Sequence, residues 1–199
     1  MIQKLVNDVI KPWEELGELL AQRFAFQPEL SDVTRSATAL AVAISHYPES
    51  HGLERSTIDS KCDACKVMTD VADMAKHGKL RNKKRHNELY VAALFECGSQ
   101  NQFRFLRNAI LIQHSSFGEI DFMNKSLEAM NFWMSEQQFQ LNRNLAVKES
   151  SEGFCPSARL KYNERYCIRM KSTRYKFVRR MANNSLVPYD PPEVRIEVY

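Results

Sequence analysis

Apolar residues in the first part of the chain recur at three- and four-residue steps, the spacing of one face of a helix. This pattern predicts an amphipathic helix over residues 2–26, which Pro12 must bend or divide because proline has no amide hydrogen. Pro28 is predicted to follow its end. A second helix should begin at a Ser31 cap, run through Ser45 and be buried, because its middle is apolar nearly all round.

A third helix is predicted over residues 58–76, with a core face that includes Cys62 and Cys65. Gly78 stands where a left-handed residue commonly ends a helix. Asp70 and Asp73 fall on one side of this helix, and we interpret them as solvated charges.

The period of the pattern then changes. The segments 88–97, 103–114 and 120–123 are rich in β-branched and aromatic residues and are separated by turn residues, which predicts a meander of three antiparallel strands. The alternative for 88–114 is two helices, because several of its apolar residues also fit a helical stripe. A further helix, capped by Asn124 or Ser126, is predicted to reach about Leu141.

The last part of the chain is predicted to be basic and extended. Residues 147–158 have the composition of a linker, residues 160–170 alternate as in a strand, 174–181 is ambiguous, and 194–198 is a short strand. The predicted fold is therefore α+β, with a helical N-terminal half of three helices, an antiparallel meander with a packed helix, and a basic strand-rich tail. The predicted domains are 1–146 and, after the linker, a C-terminal extension 159–199 that is either separate or part of the same sheet.

The composition predicts a folded protein without a membrane span or a disulfide framework. A chain of 199 residues with 44% hydrophobic and 26% charged residues is typical of a folded globular protein. No apolar run approaches the roughly 18 residues of a membrane span, and the first residues lack the apolar core of a secretory signal. Five cysteines, an odd number, favour reduced thiols in a cytoplasmic protein over a disulfide framework.

The net charge of +4 is unevenly distributed: residues 1–75 carry −5 and residues 76–199 carry +9. A polyanionic partner should therefore meet the second part of the chain. RNA or single-stranded DNA fits this charge, with tyrosines stacking on unpaired bases. The alternative is a solvated outer face whose tyrosines belong to the core. The candidate nucleic-acid contacts are Lys83, Lys84, Arg85, Lys161, Arg165, Arg169, Lys171, Arg174 and Lys176, with Tyr162 and Tyr166.

The pair Cys62 and Cys65 has the spacing of a zinc knuckle or a thiol redox pair. A zinc site needs a second close pair, whereas the downstream His77 and His86 are far apart in sequence. We interpret the two cysteines as thiols packed on the core face of the third helix. No metal and no cofactor are predicted.

Two segments pair an arginine and asparagine with a following histidine: Arg81-Asn82 with His86, and Arg107-Asn108 with His114. This pattern resembles the RNA-cleaving motif of HEPN-domain proteins, helical bundles found among bacterial toxins and phage-defence nucleases. The resemblance implies that the arginine holds the scissile phosphate and the histidine transfers protons, without metal and often across a dimer.

The sequence therefore leaves the function classes open. The first is a non-catalytic protein that faces nucleic acid or forms a complex, the second is a HEPN-like ribonuclease, and the third is a structural subunit of a larger assembly, with a protein partner or a second copy of the chain. The competing interpretations of the two motifs are a histidine at a sheet edge for His114 and a solvated basic turn for Arg81.

Overall fold

The structure, a computed structural model, describes residues 2–26, 28–162 and 174–199. It combines helices with a mixed sheet, which confirms the predicted α+β class. The helices are α1 (Ile2–Leu5), α2 (Lys11–Leu20), α3 (Pro28–His46), α4 (Arg55–Asp59), α5 (Asp63–His77) and α6 (Phe122–Glu136). The strands are β1 (Phe24–Phe26), β2 (Asn87–Cys97), β3 (Phe103–His114), β4 (Gly118–Asp121), β5 (Ala158–Tyr162), β6 (Arg174–Arg180), β7 (Leu186–Pro188) and β8 (Ile196–Val198).

The chain forms two compact units, each assembled from separated stretches. The first consists of Met1–Gly17, Val33–Tyr90 and Ile110–Val147. The second consists of Glu18–Asp32, Val91–Ala109 and Lys148–Tyr199. Among the described strands, one sheet has the order β4-β3-β2-β6-β7 and another has the order β1-β5-β8.

Pro12 disturbs the first helix as the sequence predicts. A π-helical turn, Val6–Ile10, connects α1 to α2, and the Lys11 amide donates to the Val6 carbonyl five residues earlier. This wider turn ends two residues before Pro12, which has no amide hydrogen and cannot donate to a carbonyl of the preceding turn. The helix stops at Leu20, so the prediction that it continues to about Phe26 is wrong. The chain instead enters β1, which pairs in parallel with β5.

Helix α3 begins at Pro28, three residues before the predicted Ser31 cap. Proline suits a first helical turn, because the amide it lacks would have no partner within the helix. Pro28 therefore opens the second helix.

The predicted third helix is two helices. Helix α4 ends at Asp59, and Cys62, with φ −142° and ψ 104°, is the extended residue that precedes α5. Cys62 therefore does not lie on a helical core face as predicted. Gly78 ends α5 in the left-handed region with φ 68°, and its amide donates to Met74 at 2.8 Å, which confirms the predicted cap.

The three predicted strands are confirmed, although the third is Gly118–Asp121 rather than 120–123, and the two-helix alternative for 88–114 is wrong. Strands β3 and β4 pair antiparallel, from Leu111 with Asp121 to His114 with Gly118. Asp121 ends β4 and caps α6, because its Oδ1 accepts the Asn124 amide at 3.0 Å. The cap is thus neither Asn124 nor Ser126, and α6 stops at Glu136 rather than near Leu141.

The core of the first unit includes Trp13, whose Nε1 donates to Ser126 Oγ at 2.9 Å. Leu5, Met68 and Ile110 are among its buried apolar residues.

The core of the second unit is centred on Phe95. Its ring contacts Phe105 and Phe177 at centroid distances of 5.7 and 5.9 Å. Tyr175 and Tyr189 pack at the margin of this cluster.

Residues 147–158, predicted as a linker, carry backbone hydrogen bonds to β3. The Ser150 amide donates to Leu106 at 2.6 Å, and Cys155 and Phe103 exchange two bonds of 2.8 and 2.9 Å. The ambiguous segment after residue 173 is strand β6, which pairs in parallel with β2. Among the helices of the described ranges, none is both long and apolar enough to cross a membrane.

Candidate functional site

Asp70 is the centre of a buried hydrogen-bond network in the first unit. It lies on α5 and is 1% exposed. Its Oδ1 accepts from Arg85 Nε, and its Oδ2 lies 3.1 Å from His114 Nε2. Asn87 Nδ2 donates to the Asp70 carbonyl at 2.9 Å. The interpretation of Asp70 as a solvated charge is therefore wrong, because the residue is enclosed and hydrogen-bonded.

The contacts of His114 determine where its proton lies. The Ser116 amide is 3.0 Å from Nδ1, and an amide can only donate, so Nδ1 accepts. In the neutral ring Nε2 then carries the hydrogen and donates it to Asp70. Both ring nitrogens are occupied by protein groups in this arrangement.

Arg85 connects this buried pair to the surface. Its NH2 atom donates to Asp73 Oδ2 at 2.6 Å while its Nε is bound to Asp70. The two acids are three positions apart on α5, so one guanidinium can reach both. Arg55 also approaches Asp73, at 3.7 Å.

The turn that carries Arg85 is fixed at several backbone points. Asn82 Oδ1 accepts the Lys84 amide at 3.1 Å, and Ser116 Oγ donates to the Lys84 carbonyl at 2.7 Å. The Ser115 amide donates to the His86 carbonyl at 2.9 Å. The segment is thus held against the β3–β4 turn as well as against α5.

The last two residues of α5 and the segment that connects them to Arg85 form what we call the basic loop, residues 76–84. It contains no acidic residue and no phenylalanine, tyrosine or tryptophan. Within the described part of the chain, its cations are exposed and form no ion pair, in contrast to Arg85. These cations are Lys76, Lys79, Arg81, Lys83 and Lys84.

The basic residues near the C-terminus have a different environment. In the second unit, Arg180 binds Glu96 and Glu149, Arg179 stacks on the Tyr189 ring at 3.7 Å, and Arg159 pairs with Glu197 at 3.1 Å. These three arginines therefore already interact with acidic or aromatic side chains of the protein.

The predicted contacts in this region are distributed as follows. Arg174 is exposed at the start of β6, Lys176 is half-buried within β6, and both interact with other groups of the protein. Lys161 is exposed on β5, and Tyr162 ends that strand. Arg165, Tyr166, Arg169 and Lys171 lie outside the described residues.

A cluster of two arginines and two glutamates lies in the second unit. Glu96 is 6% exposed and accepts from both Arg104 and Arg180, and Glu149 binds the same two arginines. Burial by itself raises the pKa of Glu96, but the hydrogen bonds from Arg180 and Arg104 outweigh it and hold the pKa below its ordinary value. Neither glutamate was singled out from the sequence.

The arginine and the histidine of each HEPN-like motif have different surroundings. Arg81 is exposed in the basic loop, while His86 Nε2 accepts the Leu80 amide at 3.4 Å. Arg107 belongs to the second unit and is buried, with NH1 3.5 Å from the Asn108 carbonyl. His114 belongs to the first unit, where Asp70 and Ser116 bind it. The ribonuclease role of these residues stays a prediction.

The sequence carries one signal for the burial of Asp70. Asp70 stands between Met68 and Val71, two residues that the apolar pattern assigns to the buried face of the helix. A buried acid requires a partner, and the arginine and histidine that follow it supply two. Among the described residues, no group of three or more His, Cys, Asp or Glu is placed to hold a metal ion.

No family model, no curated protein and no solved structure matches this chain.

Proposed function

We propose that the first unit binds the phosphate backbone of nucleic acid through the basic loop, without catalysing a reaction. This proposal is supported by a difference in ion pairing between the basic loop and the basic residues near the C-terminus. Those of the basic loop are exposed and have no acidic partner among the described residues, whereas the described arginines 159 and 180 are paired.

The attachment of the loop to the rest of the first unit also favours phosphate binding. Arg85, the residue that follows the loop, is bound to Asp70 and Asp73, and the Lys84 carbonyl accepts from Ser116. Anchored cations lose less conformational freedom on binding a phosphate than the same residues on a free chain.

The composition of the loop defines the kind of recognition. Lysine and arginine contact phosphates, and each neutralised phosphate releases counterions. The loop has no phenylalanine, tyrosine or tryptophan to stack on a base. Binding should therefore depend strongly on salt and weakly on sequence.

The test is a fluorescence-anisotropy titration with single-stranded RNA, single-stranded DNA and duplex DNA at several salt concentrations. The variant Lys83→Ala/Lys84→Ala should weaken binding to all three. If both lysines contact phosphates, the slope of log K against log salt should flatten by about 1.4 for single strands and about 1.8 for duplex DNA.

The matched control is Arg143→Ala/Lys148→Ala, which removes the same charge from two exposed cations that are paired with Glu14 and Glu18. It should leave the slope nearly unchanged. An equal flattening in both variants would mean that net charge alone matters. An unchanged slope in the Lys83/Lys84 variant would refute the role of the basic loop.

A further inference from the structure

Helix α5 begins with a cysteine as its cap. Cys62 is extended, and its Sγ accepts the amide of Cys65 at 3.3 Å. The caps usually found at this position are oxygen-bearing side chains. A sulfur accepts such a bond best as a thiolate, and the N-terminal end of a 15-residue helix favours a negative charge.

The two cysteines act on each other. A hydrogen bond from the Cys65 thiol is the main cause that lowers the pKa of Cys62 to about 6, against the opposite effect of burial. The backbone amides of Cys65 and Ala64, and the charge of Lys125, lower it further. The same bond and burial raise the pKa of Cys65.

The two sulfurs differ in access. Cys62 is half-buried, whereas Cys65 is 3% exposed. A dissolved reagent can therefore reach Cys62 first. Cys65 is the more enclosed of the two, and its thiol is close enough to lower the pKa of Cys62.

The indole of Trp133 is a further polar group beside Cys65. The indole Nε1 of Trp133 is buried and has no hydrogen-bond partner among the described residues. Trp133 is 2% exposed, yet its indole lies close enough to Cys65 to lower that thiol's pKa. The indole can thus donate to the Cys65 sulfur once that sulfur has lost its proton, which supports an ionised state of the buried cysteine.

We propose that Cys62 and Cys65 form a dithiol site that exchanges with the disulfide of a low-molecular-weight thiol, with Cys62 as the attacking group and Cys65 as the resolving group. This site is separate from the basic loop and does not depend on the proposed binding of nucleic acid.

The exchange has two balanced steps. The Cys62 thiolate attacks one sulfur of the disulfide, so a mixed disulfide forms and one small thiolate leaves. Cys65 then loses its proton to solvent, and its thiolate attacks the Cys62 sulfur. The Cys62–Cys65 disulfide forms and the second small thiolate leaves. Two electrons pass from the protein dithiol to the small disulfide, and the reverse sequence returns them.

The backbone spacing is compatible with this product. Residues three apart at a helix start have Cα atoms roughly 5–6 Å apart, within the range that a disulfide bridges. No large backbone movement is then needed to close the bond.

The chain offers a direct readout of the reaction. Trypsin cleaves after Lys61 and Lys66, so the peptide 62–66 contains both cysteines and no other thiol. The reduced full-length protein would be incubated with graded ratios of reduced to oxidised glutathione, quenched in acid, alkylated and digested. We expect this peptide to lose two hydrogens as the ratio falls, with no variant required.

Two variants separate the roles. Cys65→Ser should accumulate glutathione on Cys62, because nothing resolves the mixed disulfide. Cys62→Ser should leave Cys65 unmodified, and Cys155→Ser should behave as wild type. Circular dichroism would show whether each variant is folded, and the wild-type peptide decides the proposal if one is not.

Absence of the oxidised 62–66 peptide under excess oxidised glutathione would overturn the proposal. It would also be overturned if glutathione attached to Cys155 at least as readily as to Cys62, because Cys155 is also partly exposed and lacks the helix cap.

Discussion

The Nε2 atom of His114 lies 3.1 Å from Oδ2 of Asp70, and its Nδ1 accepts the Ser116 amide. The histidine therefore meets the carboxylate as a neutral donor, and Arg85 supplies the positive charge that balances it. Asp70 on α5 thus holds two other segments of the first unit, the turn that carries Arg85 and the end of β3.

Replacing Asp70 should strongly destabilise the first unit. In Asp70→Asn the shape is kept, but the negative charge between Arg85 and His114 is lost, which should lower the free energy of unfolding by about 3 kcal/mol. Urea denaturation monitored by circular dichroism measures this. The control is Asp73→Asn, whose side chain is 24% exposed and which should cost about 1 kcal/mol or less. Equal losses would contradict a central role for Asp70.

Glu96 should make the protein sensitive to acid. Its pKa is lower in the folded than in the unfolded chain, so it contributes stability above the ordinary glutamate value of about 4.3. That contribution is lost as the pH falls through the lower folded pKa. Glu96→Gln should cost about 2 kcal/mol at pH 7, and the difference from wild type should shrink below about pH 4.

The control for this prediction is Glu193→Gln, since Glu193 is exposed. Its unfolding midpoint should follow wild type at every pH. A constant difference between Glu96→Gln and wild type from pH 7 to pH 3 would show that the two arginines do not act through the carboxylate charge.

Gly78→Ala should destabilise α5 through the backbone alone. Gly78 has φ +68°, and a Cβ there would meet nothing within 4 Å, so the cost of about 1 kcal/mol comes from the left-handed conformation. Gly153→Ala, at an open site where no positive φ is required, is the matched control and should be close to neutral. Gly78→Asn should recover part of the loss, because asparagine tolerates this conformation better.

Cys62 should react at an unusually low pH. Iodoacetamide alkylation of the reduced protein should show a midpoint near pH 6 at Cys62, because the bond from Cys65, the backbone amides and Lys125 favour the thiolate. At pH 6.5 Cys62 should react about fivefold faster than an ordinary thiol of pKa about 8.5, after allowing for its lower intrinsic nucleophilicity. Cys97, whose pKa burial raises to about 11, should stay unreacted. A midpoint at or above pH 8 at Cys62 would contradict the cap geometry.

The sequence predicted the elements whose cause is local. The Gly78 cap, the disturbance at Pro12 and the three strands of the meander each depend on side chains within a few residues of the element. The break at Cys62 was missed because the apolar spacing continues through it, and an extended cysteine has no distinctive sequence signal.

The partners of charged residues could not be predicted in the same way. Asp70 meets a histidine 44 residues away, and Glu96 meets Arg180 across 84 residues. Such pairs depend on which strands become neighbours, and a parallel pair such as β2 with β6 leaves no local pattern. A count of charges in the sequence does not reveal that Arg159 and Arg180 already have acidic partners.

The π-helical turn Val6–Ile10 behaves as a one-residue insertion in an otherwise regular helix. Each residue of an α-helix turns the chain by about 100°, so this single residue sets the rotational phase of everything before it. Deleting the exposed Asp8 would restore the regular winding, and Leu5 and Trp13, both buried now, would then be seven positions apart, about 20° short of two full turns, and would still face the core together. The N-terminal segment should therefore tolerate the loss of one residue in this turn, whereas the gain of one more would rotate Leu5 away from the core by about 100°.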